Sequence, residues 1–191
     1  DVRAEQQRVV AALASAAKES RVPHVVFLSS VGAQHESGTG PIAGLHDGEV
    51  AFTKAGVPFT AVRAAYFVEN WGASLGALAA GVLPTFLAKG QKIPMVATKD
   101  IGLTAAKALV EGLARAGQSA IIELSGPVDV SPDDIASDLA AITGKPVVAQ
   151  EGPLEAMVPT LTGFGVGRSM AEAYREMTAG IRSGLVSYEG K

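Results

Sequence analysis

Several residues between positions 29 and 71 are of types that do chemistry, and they fall in three groups. Ser29 and Ser30 end an apolar run, Val25 to Leu28. His46 and Glu49 stand one helical turn apart. Arg63 ends a second apolar run and is followed by Ala65, Tyr66 and Phe67, then Asn70 and Trp71. A serine hydroxyl at a strand end can face a carbonyl or cap a turn. An imidazole can hydrogen-bond a sugar hydroxyl, and a carboxylate three residues on can orient it. His46 and Glu49 can equally be ordinary first-turn residues, Arg63 a structural ion-pair partner, and Tyr66 and Phe67 core. His24, His35 and His46 share no helix and no carboxylate set, so the sequence predicts no metal site.

The elements that must carry these residues read as strand, polar loop, helix, strand, the repeat of a parallel α/β sheet. In such sheets ligands sit at the carboxyl ends of the strands, where Ser29-Ser30 and Arg63 to Phe67 fall. The uninterrupted run Val25–Leu28 predicts a strand over 24–29 covered on both faces. A helix is expected over 2–20 behind Asp1, another over 45–55 ended by Gly56, and a strand over 59–63. Residues 66–81 read as helical despite their glycines. Short extended pieces are expected at 84–87 and 93–98, and a helix over 101–114 capped by Asp100 and stopped by Gly117. A strand is expected over 120–124. Ser131-Pro132-Asp133-Asp134 is a strong helix start, with Gly144 as its stop. A strand over 146–150 and helices near 153–162 and 167–182 complete the expected order. One domain is predicted over 1–191, a sheet part to about 125 and a small mixed cap from about 126.

Composition narrows the function. A formal net charge of −3 and a pI near 5.6 give no basic face for nucleic acid and no polybasic membrane anchor. The absence of cysteine removes thiolate catalysis, disulfides and cysteine metal sites. No run approaches the length of an apolar membrane span, and the N-terminus DVRAEQQRVV is not a signal peptide, so a cytoplasmic location is expected.

Read together, these residues resemble the NmrA-like branch of the atypical short-chain dehydrogenase/reductase superfamily. The resemblance is carried by Ser29-Ser30-Val31-Gly32-Ala33, by His46 with Glu49, and by GVPFTAVRAAYFVENW at 56–71. Asp100-Ile101-Gly102 with Ala105-Ala106, Ile122 to Pro127, Ser131 to Ala136, and Ala173-Tyr174 to Gly184-Leu185 add to it. It implies a Rossmann-type parallel sheet with a smaller C-terminal substrate region, and NADP(H) or NAD(H) as cofactor. It implies either an oxidoreductase, including on quinones or similar small acceptors, or a redox-sensing regulator acting on a protein partner. By resemblance, Ser29, Ser30, His46, Ala65, Tyr66 and Phe67 face the cofactor, and Asn70 and Trp71 shape the substrate pocket.

Two departures qualify this. His46 stands where many of the superfamily carry the lysine of a Tyr-x-x-x-Lys pair, and position 42 is isoleucine, so the usual catalytic tyrosine is absent. His46 remains the one catalytic candidate. No GxxGxxG turn follows a strand in this sequence. Gly38-Thr39-Gly40-Pro41 and Gly163 to Gly167 do not fit it. The chain thus resembles the second half of a family member. Cofactor binding by this chain alone is put in doubt, and a missing N-terminal segment or an oligomer partner is expected to complete the site.

Overall fold

The computed structural model describes residues 1–112 and 119–189. Helix α1 (Val2–Glu19) starts at Asp1, whose carboxylate accepts from the Arg3 N–H at 3.0 Å. Strand β1 (Val25–Ser30), helix α2 (Ile42–Ala55) and strand β2 (Phe59–Ala64) follow in the expected order. β1 and β2 are parallel, with Ser29 beside Arg63. β6 (Ala120–Leu124) pairs with the other edge of β2, giving the order β1-β2-β6.

The covered strand is β2, not β1. All six residues of β2 are buried, whereas Leu28 of β1 is 48% exposed. The physical reason is position: β2 has neighbours on both edges, and β1 is paired on one edge only among the described strands. On one face of the sheet, Phe59 and Ala61 pack with Phe52 and Val57, with Phe27 against the cluster, under α1 and α2. On the other, Ala64 meets Ile101 of α3 (Thr98–Glu111).

Three expectations are corrected after β2. Tyr66-Phe67 is extended, not helical: it forms β3, parallel to Met95-Val96 of β5 (Ile93–Val96). Val68–Ala80 then winds as a 3₁₀ helix. Gly72 and Gly76 lie inside that run, and glycine disfavours a regular α-helix. Helix α3 starts at Thr98 with Ala97 at the cap position, so Asp100 is a first-turn acid. The cap comes from elsewhere: the Glu69 carboxylate accepts from the Thr98 N–H at 2.9 Å and from its hydroxyl at 2.7 Å. The expected end of that helix, Ala114 and Gly117, lies outside the described residues.

Strand β4 (Val82–Thr85) pairs in parallel with β8 (Val148–Glu151), and β5 pairs antiparallel with β7 (Asp129–Val130). Helix α4 (Pro132–Thr143) begins with a capping box: the Ser131 hydroxyl accepts from the Asp134 N–H, and Asp134 accepts from the Ser131 N–H at 2.8 Å. Ser131→Ala is expected to cost about 1 kcal/mol, read as a lower denaturation midpoint with an unchanged slope. Helices α5 (Met157–Gly163) and α6 (Arg168–Ser183) close the fold.

One core joins Trp71, Leu83, Ile93 and Met95 to Ala136, Val147 and Ile181, so the small region draws on chain from both sides of β6. None of the described helices is long and apolar enough to cross a membrane.

Candidate functional site

The carboxyl ends of β1 and β2 open on a cavity of about 370 Å³. It is lined by Leu28, Ser29, Ser30 and Val31 from the end of β1, and by Pro41, Ile42 and Leu45 from the start of α2. Ala65, Tyr66, Phe67 and Asn70 follow β2, and Ile93 and Pro94 belong to β5. Met177, Ile181 and Val186 come from α6 and the segment after it, with Gln6 of α1 at the rim. The lining is mostly apolar, with a few polar groups, as small-molecule sites are.

Below the cavity lies a buried polar network. The Ser29 hydroxyl donates to Glu49 Oε1 at 2.6 Å. Arg63 grips the same carboxylate with two nitrogens, Nε to Oε1 at 3.0 Å and Nη2 to Oε2 at 2.7 Å. Its third nitrogen, Nη1, reaches Glu189 at 2.8 Å. Two carboxylates thus hold Arg63 above its ordinary pKa: the bidentate Glu49 bond contributes most, and burial opposes it. The alternation of a strand explains the layout. Ser29 and Arg63 point to the α2 side of the sheet, where Glu49 hangs from the buried face of α2.

Glu49 therefore orients Arg63 and Ser29, not His46. The imidazole of His46 is held instead by the Ala33 carbonyl, which accepts at 2.9 Å from Nδ1. That bond leaves Nε2 as the ring nitrogen available to a ligand. His46 does not line the 370 Å³ cavity. Ser30 Oγ donates to the Val31 carbonyl at 2.9 Å. His24 bonds Thr60 at 2.9 Å, and among the described residues no group of three or more His, Asp or Glu side chains could hold a metal.

Tyr66 is the titratable group on the cavity wall. Burial raises its pKa, and a hydrogen bond with Asn70 works against the rise. The phenol is thus protonated at neutral pH and available as a donor. Trp71 stands behind it: the two rings lie 6.1 Å apart, and the indole N–H points at Met95 Sδ at 3.5 Å. Trp71 is buried in the core and is not on the cavity wall.

A phenol whose folded pKa exceeds its unfolded pKa contributes stability that is complete below the unfolded value. That contribution is lost as pH rises toward the folded value. Tyr66 and Tyr188 are both raised, chiefly by burial. Phenolate absorbance is expected to show late-titrating tyrosine, and Tyr66→Phe to remove one late step.

The structure therefore brings Ser29, Ser30, Ala65, Tyr66, Phe67 and Asn70 to one cavity and leaves His46 and Trp71 off its wall. Sequence reasoning missed Met177, Ile181 and Val186, although Met177 and Ile181 are four residues apart on a strongly amphipathic helix.

The model of the NmrA-like family matches residues 3–180. The chain belongs to the NmrA-like family. Among curated relatives, the NAD(P)H azoreductase of Xenophilus azovorans is 26% identical over 178 residues, covering 92% of this chain and 60% of that protein. Among solved structures, the NADPH-dependent quinone oxidoreductase of Escherichia coli, crystallised with NADPH, superposes with a TM-score of 0.79 at 23% identity. It covers 95% of this chain and 63% of its own. The triphenylmethane reductase of Citrobacter sp., complexed with NADP(H), gives 0.72 at 24% identity, covering 95% and 62%. This NmrA-like chain thus has a Rossmann-type fold and spans about three fifths of the length of these relatives.

Proposed function

We propose that this chain carries the nicotinamide and acceptor end of an NAD(P)H-dependent oxidoreductase site, with a quinone or a similarly flat conjugated molecule as acceptor. The observation that carries the reading is the cavity at the ends of β1 and β2, apolar on most sides with Tyr66 on its wall. The relatives named above are reductases of azo, quinone and triphenylmethane compounds.

The residues fit a ring and not a pyrophosphate. Tyr66, Phe67, Leu28 and Pro94 offer faces for a planar group, while no Lys or Arg lines the cavity. No glycine-rich turn of the phosphate-cradling kind occurs in the sequence. A bound nicotinamide would supply the hydride. The chain's own part is to hold two flat groups face to face, to exclude water, and to offer the Tyr66 hydroxyl to an acceptor oxygen or nitrogen. Stacking two rings supplies mainly proximity, which tolerates the missing Tyr-x-x-x-Lys pair.

NADPH oxidation with a panel of quinones tests this. Turnover supports the reading, and binding of NADPH without turnover by any acceptor favours a redox-sensing regulator instead. His46→Ala is expected to raise KM for NADPH several-fold with kcat little changed, because Nε2 would reach a ribose hydroxyl and not the reacting atoms. Complete loss of turnover with binding intact would refute that role. Tyr66→Phe is expected to lower kcat about tenfold, the worth of one hydrogen bond of about 1.4 kcal/mol.

A further inference from the structure

The segment after α6 turns back over the site. Leu185 lies against Gly38, and Val186 lies against Gly32 and Gly180, where a Cβ on Gly32 would come 3.1 Å from Val186 Cγ1. Those three glycines make the bed on which this segment rests. The Val186 N–H donates to the Gly180 carbonyl at 3.1 Å, and the Gln34 side-chain amide donates to the Ser187 carbonyl at 2.8 Å. The Glu189 carboxylate then pairs with Arg63 at 2.8 Å, and the Glu189 N–H donates to Glu123 at 2.8 Å. Residues 185–189 are therefore strapped to β2 and β6 at the far end and to α6 at the near end. Between the two anchors, Val186 forms part of the cavity wall.

We propose that Val186 sets the size of the acceptor this cavity admits, and that Glu189 is a positioning residue that holds it there through Arg63. This rests on the reading of the cavity as an acceptor site. The two roles differ in energy. Glu189 is largely exposed, with 62% of its side chain accessible, so its pair with Arg63 contributes little to global stability. Arg63 keeps its bidentate bond to Glu49 without it. What Glu189 fixes is the path of five residues.

The test compares Val186→Ala, Val186→Phe and Glu189→Gln with the unaltered chain on benzoquinone and naphthoquinone. Kinetics of NADPH oxidation and quenching of Trp71 emission, which reports through Tyr66, are both read. Val186→Ala is expected to shift the preference toward naphthoquinone, and Val186→Phe to shift it toward benzoquinone, each by about tenfold. Most of either change falls in KM and not kcat. Glu189→Gln is expected to act in the direction of Val186→Ala, with faster amide exchange over 185–189 and a melting temperature close to that of the unaltered chain. An unchanged size order in all three variants, with quinones still bound, overturns the role of Val186 while leaving the acceptor site standing. Binding with the expected size shifts upholds the role of Val186 whether or not NADPH is turned over. Quenching by neither quinone overturns both.

Discussion

Replacing Arg63 with methionine is expected to destabilise the protein by about 3–5 kcal/mol, the cost of leaving one member of a buried ion pair uncompensated. Arg63 is 4% exposed and Glu49 8%, and Glu49 Oε1 already accepts from Ser29. With the guanidinium gone, the carboxylate must stay charged without its bidentate partner or take up a proton. Domains of this kind have about 5–15 kcal/mol in total, so the loss is a large share. Denaturant titration reads it directly. The companion variant decides the cause: Arg63→Met combined with Glu49→Leu should regain most of the loss, because no charge is then buried. If the double variant is as unstable as the sum of the two single ones, the loss comes from packing and the ion-pair account fails. Glu189→Gln, which touches the exposed arm of the same guanidinium, should cost no more than about 1 kcal/mol.

Gly40→Ala is the second large effect. Gly40 has φ +57, and a Cβ there would run into the Ala173 carbonyl of α6 and approach the Met177 N–H at 2.9 Å. Backbone cannot step aside as a side chain can. The left-handed conformation costs about 1 kcal/mol for alanine, and overpacking adds about 1–3 kcal/mol. The consequence reaches the site, because Pro41 and Ile42 on one side of this contact and Met177 on the other all line the cavity. Alanine at 40 should therefore weaken quinone binding as well as lower the melting temperature. Gly56→Ala is the control: it has a similar positive φ of +69 but nothing within 4 Å of its added Cβ. It should lose the strain energy alone and bind quinone normally. Equal effects at the two positions would show that the close approach to α6 is unimportant.

The site was partly legible in the sequence because its nearest parts are contiguous. Val25 to Leu28 gave away β1, and the run from Phe59 to Phe67 gave away the end of β2 with the residues beyond it. The capping box at Ser131 was readable because it depends on four neighbouring residues. Partner choice was not readable. Glu49 had His46 one turn away and Arg63 fourteen residues away, and helix spacing favours the near one. The alternation of β2 turns Arg63 toward α2, while His46 faces the Ala33 carbonyl instead. The cavity's far wall was hidden for a similar reason. Met177 and Val186 lie more than a hundred residues from Tyr66, and only the return of α6 over the loop at 31–41 brings them close. The extended form of Tyr66-Phe67 depends on pairing with β5; an extended piece is expected there, but nothing in the local sequence announces which residues it pairs with.

The proposed flat ring sits between Leu28, Tyr66 and Val186. Methyl-resolved NMR during titration with naphthoquinone tests it most directly, because it needs neither turnover nor a grip on phosphate. Saturable ring-current shifts are expected at Leu28, Ile42, Ile93 and Val186, with Val158, on the open cleft between α1 and α6, unmoved. Shifts centred on Val158, or none at the four cavity residues up to the solubility limit of the quinone, would contradict it.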